Sequence, residues 1–163
     1  MSWVYDYNTL TTDEAMIPIR GGDWYDGGLW ENMFQHKWSA NDQSLYDTWK
    51  FLYKVVVLAN QSLYNIDKYS HHLSSEQQTA YKAEVRAIRA LFYYYIMDMF
   101  GRVPLVTSFD VSQNQVVQKP RSEVFRFIVD ELQEVVLLLS GEHSNRMGNY
   151  YGRVTAPVAH FLL

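Results

Sequence analysis

Eleven residues near the start of the chain, RGGDWYDGGLW (20–30), combine large aromatic rings with carboxylates on a glycine-rich backbone. An indole face can stack on the apolar C–H face of a sugar ring, while neighbouring carboxylates and amides bond the sugar hydroxyls. The alternative is structural, because buried aromatic rings can also hold an irregular loop in place. Trp24, Trp30 and Trp38 are therefore candidate ligand-binding residues, with packing as the competing interpretation.

Polar candidates lie on the same stretch of chain and just before it. We predict that Arg20, Asp13 and Asp23 contact the ligand. Asp13 and Glu14 have a local alternative, in which they cap the backbone or pair with Arg20 to fix the loop. Further polar groups nearby are Asp26, Asn32, Gln35 and His36. On the later segment 83–107, ion-paired or solvated roles are favoured over recognition for Arg86 and Arg89.

The sequence carries no strong catalytic signature. Asp23 and Asp26 lie three residues apart in a predicted turn, where Asp is ordinary turn chemistry and holds no fixed carboxyl separation. The chain has no cysteine, and its five histidines lack metal-ligand spacing. Nucleophile-elbow and phosphate-binding glycine motifs are also absent. We therefore predict a protein that is not an enzyme and that uses no metal or cofactor.

The composition is that of an ordinary globular chain, with 163 residues of which 48% are hydrophobic. The net charge of −4, with both signs interspersed, argues against a nucleic-acid partner. Apolar runs such as VVVLA (55–59) are too short to span a bilayer, and no signal-peptide pattern is recognisable. All five tryptophans fall in the first third of the chain, which indicates two regions with different roles.

Apolar spacing predicts four helices, at about 44–66, 75–100, 121–139 and 153–163. Ser74 or Ser75 forms a capping box with Gln77 or Gln78 at the start of the second helix, which Gly101 ends. Asn60 interrupts the apolar stripe of the first helix, and we interpret it as a buried side chain bonded to nearby backbone. The remaining region, 1–40, is predicted to be irregular and packed on the helices.

The predicted helices group into two consecutive pairs within residues 41–163. Such pairs are typical of an α-solenoid of tetratricopeptide type, although the 34-residue repeat is stretched here, and a plain helical bundle is the alternative. The predicted fold class is all-α. Because the fourth helix has barely begun when the sequence stops, we expect the chain to be truncated at its C-terminus.

Four ordered segments resemble SusD/RagB-like proteins. They are TTDEAMIPIRGGDWYDGGLWENMFQHKW (11–38), AEVRAIRALFYYYIMDMFGRVPLVT (83–107), KPRSEVFRFIVDELQEVVLLL (119–139) and GRVTAPVAHFLL (152–163). The last departs from the family pattern at Val158, which replaces the first of two alanines. Each motif is weak by itself, but four in order over most of residues 11–163 make the resemblance specific.

The resemblance implies tetratricopeptide-like helix pairs in a receptor on the external face of the outer membrane. Such a receptor is lipid-anchored, binds oligosaccharides without catalysis and hands them to a SusC-like, TonB-dependent transporter. We expect the family's anchor and its long C-terminal half to lie outside this sequence. The alternative from another class is an intracellular helical-repeat scaffold for peptides, which would place its aromatic residues in a concave helical groove.

Overall fold

A computed structural model describes residues 2–163, apart from the side chains of Ser2 and Gln113. Within this range the α-helices are α1 Ser2–Leu10, α2 Leu29–Phe34, α3 Gln43–Lys68, α4 Ser75–Phe100, α5 Arg121–Val135 and α6 Ala156–Leu162. Two short strands, β1 Val103–Pro104 and β2 Gln118–Lys119, pair antiparallel. The all-α prediction is confirmed. The chain divides into two compact units, Met1–Phe51 and Leu52–Leu163.

Helix α4 has the bounds that the sequence predicts, because both of its ends carry local signals. At its start, the Ser74 hydroxyl accepts the Gln77 N–H at 3.1 Å, and the Gln77 side chain accepts the Ser74 N–H at 3.0 Å. At its end, Gly101 has a φ of +71° and donates its N–H to the Met97 carbonyl at 2.9 Å. That conformation is costly for any residue with a Cβ, so the helix stops there.

Helices α4 and α5 pack along each other in the second unit. The small residues Ala83, Ala87 and Ala90 of α4 are all buried, which allows close approach of a neighbouring backbone. The buried face of α5 is the one that the spacing predicts, formed by Val124, Ile128, Leu132 and Val135. Residues Val136–Leu138 tighten into a 3₁₀ turn, a common helix ending, so α5 is shorter than predicted.

The connection after α4 is fixed by side chains of α3 and α4. The Tyr53 hydroxyl donates to the Pro104 carbonyl at 2.8 Å, and Asn60 Nδ2 donates to the Val106 carbonyl at 3.0 Å. The Tyr93 hydroxyl donates to that same carbonyl at 2.9 Å and accepts the Val106 N–H at 2.7 Å. The interpretation of Asn60 as a buried side chain bonded to backbone is confirmed.

The prediction of an irregular region over residues 1–40 is wrong for two segments, α1 and α2. Helix α1 buries Val4, Tyr7 and Leu10, which recur every three residues and so share one face. Helix α2 has only six residues and no side-chain cap, and it follows Gly27 and Gly28, whose φ values are +67° and +84°. Helices this short and weakly marked depend on packing, which spacing does not show.

Helix α6 begins three residues later than predicted. Thr155 precedes it, and Pro157 sits in its first turn, where no intrahelical N–H is needed. Arg153, the predicted first residue, instead forms a forked ion pair with Glu84 of α4. Across the part of the chain that the structure describes, no helix combines the length and apolarity needed to cross a membrane.

Candidate functional site

The Trp- and Gly-rich loop, residues 20–38 with the short helix α2 inside it, opens with a tight backbone turn in the first unit. The Arg20 N–H donates to the Asp23 carbonyl at 3.2 Å, and the Asp23 N–H donates to the Arg20 carbonyl at 3.0 Å. Gly21, inside the turn, has a φ of +64°, the left-handed region that glycine tolerates. The side chains of Arg20 and Asp23 are exposed. Their backbones therefore shape the loop, whatever their side chains bind.

Backbone strain is concentrated in this loop. Among the described residues, Trp24, Asp26 and His36 are the non-glycine positions with positive φ, at 61°, 40° and 56°. Such conformations cost roughly 1–3 kcal/mol each and cluster at functional sites. Side-chain bonds hold two of them, since Trp30 Nε1 donates to Asp26 Oδ2 at 2.5 Å and His36 Nε2 contacts the Thr11 carbonyl at 2.8 Å.

The indole rings of the loop differ in how much they are covered. Trp30 is partly covered, because it stacks on Trp3 with ring centres 6.0 Å apart and meets the edge of Trp24 at 6.1 Å. Trp24 is 56% exposed and Trp38 is 39% exposed. Trp38 meets the ring of Tyr7 edge-on at 6.2 Å. Packing thus describes Trp30. Trp24 and Trp38 are the more exposed indoles, although His36 also meets the Trp38 ring edge-on, at 5.2 Å.

A cavity of about 340 Å³ lies between the loop, α1 and the start of α3. Two indoles, Trp3 and Trp38, form part of its wall. Three carboxylates, Asp26, Asp42 and Asp47, line it as well. Aromatic faces beside fixed hydrogen-bonding groups are the combination that suits a sugar ring.

Two of the carboxylates are held in place by neighbouring donors. Asp42 accepts the Ser39 N–H at 3.1 Å and the Ser39 hydroxyl at 2.9 Å. Asp47 Oδ1 accepts Gln43 Nε2 at 2.9 Å, one helical turn away. A carboxylate has about four acceptor positions, so each keeps lone pairs for a ligand. The donors fix the orientation of these groups before any ligand arrives.

A buried hydrogen bond joins α1 to α3 beside the cavity. The hydroxyls of Tyr7 and Ser44 lie 2.8 Å apart, and Ser44 belongs to the cavity lining. Burial raises the pKa of Tyr7, the bond to Ser44 works in the opposite direction, and the Asp42 carboxylate raises the pKa further. The phenol therefore stays a neutral hydrogen-bonding group at physiological pH. Within the described residues, no trio of His, Asp or Glu side chains could hold a metal ion.

The predicted site residues are divided by the structure. Trp38 lines the cavity, and Trp30 holds the Asp26 carboxylate. Four predicted residues are exposed and lie outside the lining: Asp13, Arg20, Asp23 and Trp24. In the described part of the chain no ion pair joins Arg20 to Asp13 or Glu14, while the Glu14 N–H donates to the Thr12 hydroxyl at 3.2 Å.

Several lining residues were outside the sequence prediction, namely Trp3, Asp42, Gln43, Ser44 and Asp47. Weak signals for them exist. Trp3 and Tyr7 have the four-residue spacing of one helix face, and so do Gln43 and Asp47. Neither spacing reveals that the two faces meet, because that contact is tertiary.

Family membership follows from the whole sequence. The SusD-like family model described as "Starch-binding associating with outer membrane" matches residues 5–157. The chain belongs to the SusD-like family. A SusD-like protein of Bacteroides ovatus is 30% identical over 169 aligned residues, which cover 98% of this chain and 28% of the relative. The starch-binding protein SusD of Bacteroides thetaiotaomicron is 32% identical, over 80% of this chain and 22% of the relative.

The fold agrees with that of a solved structure. Surface glycan-binding protein A of Bacteroides uniformis superimposes with a TM-score of 0.79 at 19% identity, covering 96% of this chain and 34% of that protein. At that identity the likeness concerns the fold. The chain spans less than a third of the length of the curated SusD-like relatives that it matches.

Proposed function

We propose that this SusD-like chain belongs to a receptor that binds oligosaccharides without catalysis, and that the cavity is a sugar subsite. The observation that carries the proposal is the cavity wall, where Trp3 and Trp38 lie beside carboxylates fixed by their own donors. Backbone strain at Trp24, Asp26 and His36 supports it, because folds retain such strain mainly where geometry serves a function.

We propose further that the longer protein sits on the external face of the outer membrane through a lipid anchor. There it would pass its ligand to a SusC-like, TonB-dependent transporter. Support comes from the family description, which associates these proteins with starch and the outer membrane. Co-purification of the longer protein with such a transporter from detergent-solubilised membranes tests this step. Recovery of the receptor free of any transporter, under conditions that keep a known pair together, would contradict it.

The subsite is tested by comparing the two exposed indoles. Trp38→Ala should weaken binding of a neutral tetrasaccharide by about tenfold or more, since a stacked ring contributes about 1.5 kcal/mol. Trp24→Ala should cost less, because Trp24 lies outside the cavity. Calorimetric titrations with maltotetraose, cellotetraose and laminaritetraose measure both effects, and a melting curve for each variant separates lost binding from lost folding.

The binding losses of the two variants decide where the sugar binds. A larger loss in Trp24→Ala would move the sugar platform from the cavity to the exposed end of the loop. Equal affinities in both variants and the unmodified chain would remove the loop from recognition altogether. Chromatography of the sugars after long incubation tests the absence of catalysis, and shortened products would contradict it.

A further inference from the structure

We infer that the cavity selects its ligand by charge, taking oligosaccharides with amino sugars most tightly, neutral ones less tightly and uronate-containing ones least. The inference rests on the proposed function, because it names the ligand class of the same subsite. It depends on which charged and hydrogen-bonding groups line the cavity. It applies to the sugar residue that enters the space of about 340 Å³.

The charges in the cavity wall have one sign. Asp26, Asp42 and Asp47 line it, and among the described residues of the lining there is no Lys, Arg or His. Asp26 is exposed and Asp42 and Asp47 are partly buried, so water and salt screen this field only in part. A negatively charged ligand group would therefore meet repulsion from several sides, with no cation in the lining to offset it. A positively charged group would be attracted from the same sides.

The charged hydrogen-bonding groups of the wall are all acceptors, and its donors are neutral. The Gln43 side-chain NH₂ donates to Asp47, and the Ser44 hydroxyl is bonded to Tyr7. One Gln43 N–H is used in this way, and the Asn32 amide in the lining adds neutral donors, but the three carboxylates supply most of the acceptor positions of the wall. The charged acceptors of the wall therefore favour hydroxyl and ammonium donors on the ligand. An ammonium bonded to a carboxylate forms a charge-assisted bond, roughly twice as strong as a neutral one.

The test uses three tetrasaccharides with the same β-1,4 linkage and different charge: glucosamine tetramer, cellotetraose and mannuronate tetramer. Calorimetry at about pH 6 keeps the uronate ionised and the amine largely protonated. We expect the glucosamine tetramer to bind about tenfold or more tightly than the mannuronate tetramer, with cellotetraose between them. Added salt should reduce the difference in affinity between these two tetramers, because salt screens charges that are exposed to solvent.

A matched pair of variants locates the selectivity. Asp47→Asn keeps an oxygen that can accept from Gln43 but removes one charge from the wall, so the glucosamine-to-mannuronate ratio should fall about threefold or more. Asp110→Asn removes the same charge from an exposed position in the second unit and should leave the ratio unchanged. If the ratio falls equally in both variants, the preference comes from the net charge of the protein, and its assignment to the cavity is wrong.

The outcomes separate this inference from the proposed function. If Trp38→Ala weakens binding while the mannuronate tetramer binds as tightly as the glucosamine tetramer, the subsite stands and charge selection is wrong. If no tetrasaccharide binding depends on Trp38, the subsite itself is wrong and the inference falls with it. The subsite and the charge selection are both supported if binding depends on Trp38 and the three tetrasaccharides follow the predicted order of affinity. The glucosamine-to-mannuronate ratio must also fall in Asp47→Asn and not in Asp110→Asn.

Discussion

At the scale of single residues, the buried Arg89 of α4 connects α3, α5 and the segment that follows α4. Its side chain is 6% exposed, and Nη2 donates to Glu131 Oε2 at 2.6 Å. Nη1 donates to Asn60 Oδ1 and to the Thr107 carbonyl, both at 2.8 Å. The ion-paired role that the sequence favours for Arg89 is confirmed. The charge is structural, because all of these partners belong to α3, α5 and the connection after α4.

The buried ion pair predicts that two glutamates of α5 contribute very differently to the free energy of unfolding. Glu131 bonds both Arg86 and Arg89 and is 10% exposed in its side chain, whereas Glu134 bonds Arg86 and is 64% exposed. Glu131→Gln leaves Arg89 buried without a counter-charge and should lower the free energy of unfolding by about 3 kcal/mol. Glu134→Gln should lower it by less than about 1 kcal/mol.

Urea unfolding of the two variants, followed by circular dichroism, measures these losses. Because both changes remove one negative charge from the same helix, an effect of net charge would be equal in the two. Similar losses in Glu131→Gln and Glu134→Gln would therefore show that the burial of Arg89 does not set the energetics of this network.

At the scale of elements, the sequence predicts what is specified locally. Helix α4 carries a capping box at Ser74 and a left-handed glycine at Gly101, so its bounds follow from neighbouring residues alone. Helix α1 has no comparable signal, and its buried face forms through contacts such as Tyr7 with Ser44. The same distinction holds for the site. The residue type of Trp38 makes it a candidate from the sequence, whereas only tertiary packing brings Asp47 to the cavity lining.

The turn between Arg20 and Asp23 gives a matched test of loop geometry. Gly21 has a φ of +64° and Gly22 does not share that conformation, while a Cβ added at either position would meet no atom within 4 Å. Gly21→Ala should therefore lower the free energy of unfolding by about 1–2 kcal/mol, the cost of a left-handed L-residue. Gly22→Ala should change it by less than about 1 kcal/mol.

Thermal unfolding and cellotetraose titration of both variants check this prediction. If the turn sets the loop that borders the cavity, Gly21→Ala should also weaken binding, and Gly22→Ala should leave it close to the original value. Equal stability of the two variants would mean that the backbone relaxes out of the left-handed region at little cost.

At the scale of the whole molecule, buried phenols in both units couple folding to alkaline pH. Burial raises the pKa of Tyr93 to about 12, with the Val106 backbone bond and the Arg89 charge acting in the opposite direction. Burial also raises the pKa of Tyr53 and, in the first unit, of Tyr7. Each phenol must stay protonated in the folded chain, whereas an unfolded tyrosine ionises near pH 10.

The sign of the effect follows from proton counting. Between about pH 10 and pH 12 the unfolded chain has lost these protons and the folded chain still holds them. Stability is therefore complete below about pH 10 and falls as the pH rises through the folded pKa. Tyr93 by itself should account for a loss of about 2–3 kcal/mol across this window, since one pKa unit corresponds to about 1.4 kcal/mol.

Urea unfolding at several pH values from about 8 to 12 measures the decline, and ultraviolet difference spectra report when the phenols ionise. In Tyr93→Phe the decline in stability should be shallower. The variant starts from a lower stability, because the Val106 N–H loses its partner and the Val106 carbonyl keeps only its bond from Asn60. Tyr5→Phe, at a side chain that is 70% exposed, is the matched control and should retain the full slope. An identical slope in Tyr93→Phe and in the unmodified chain would mean that the Tyr93 proton is lost without unfolding, and that the alkaline limit lies with other groups.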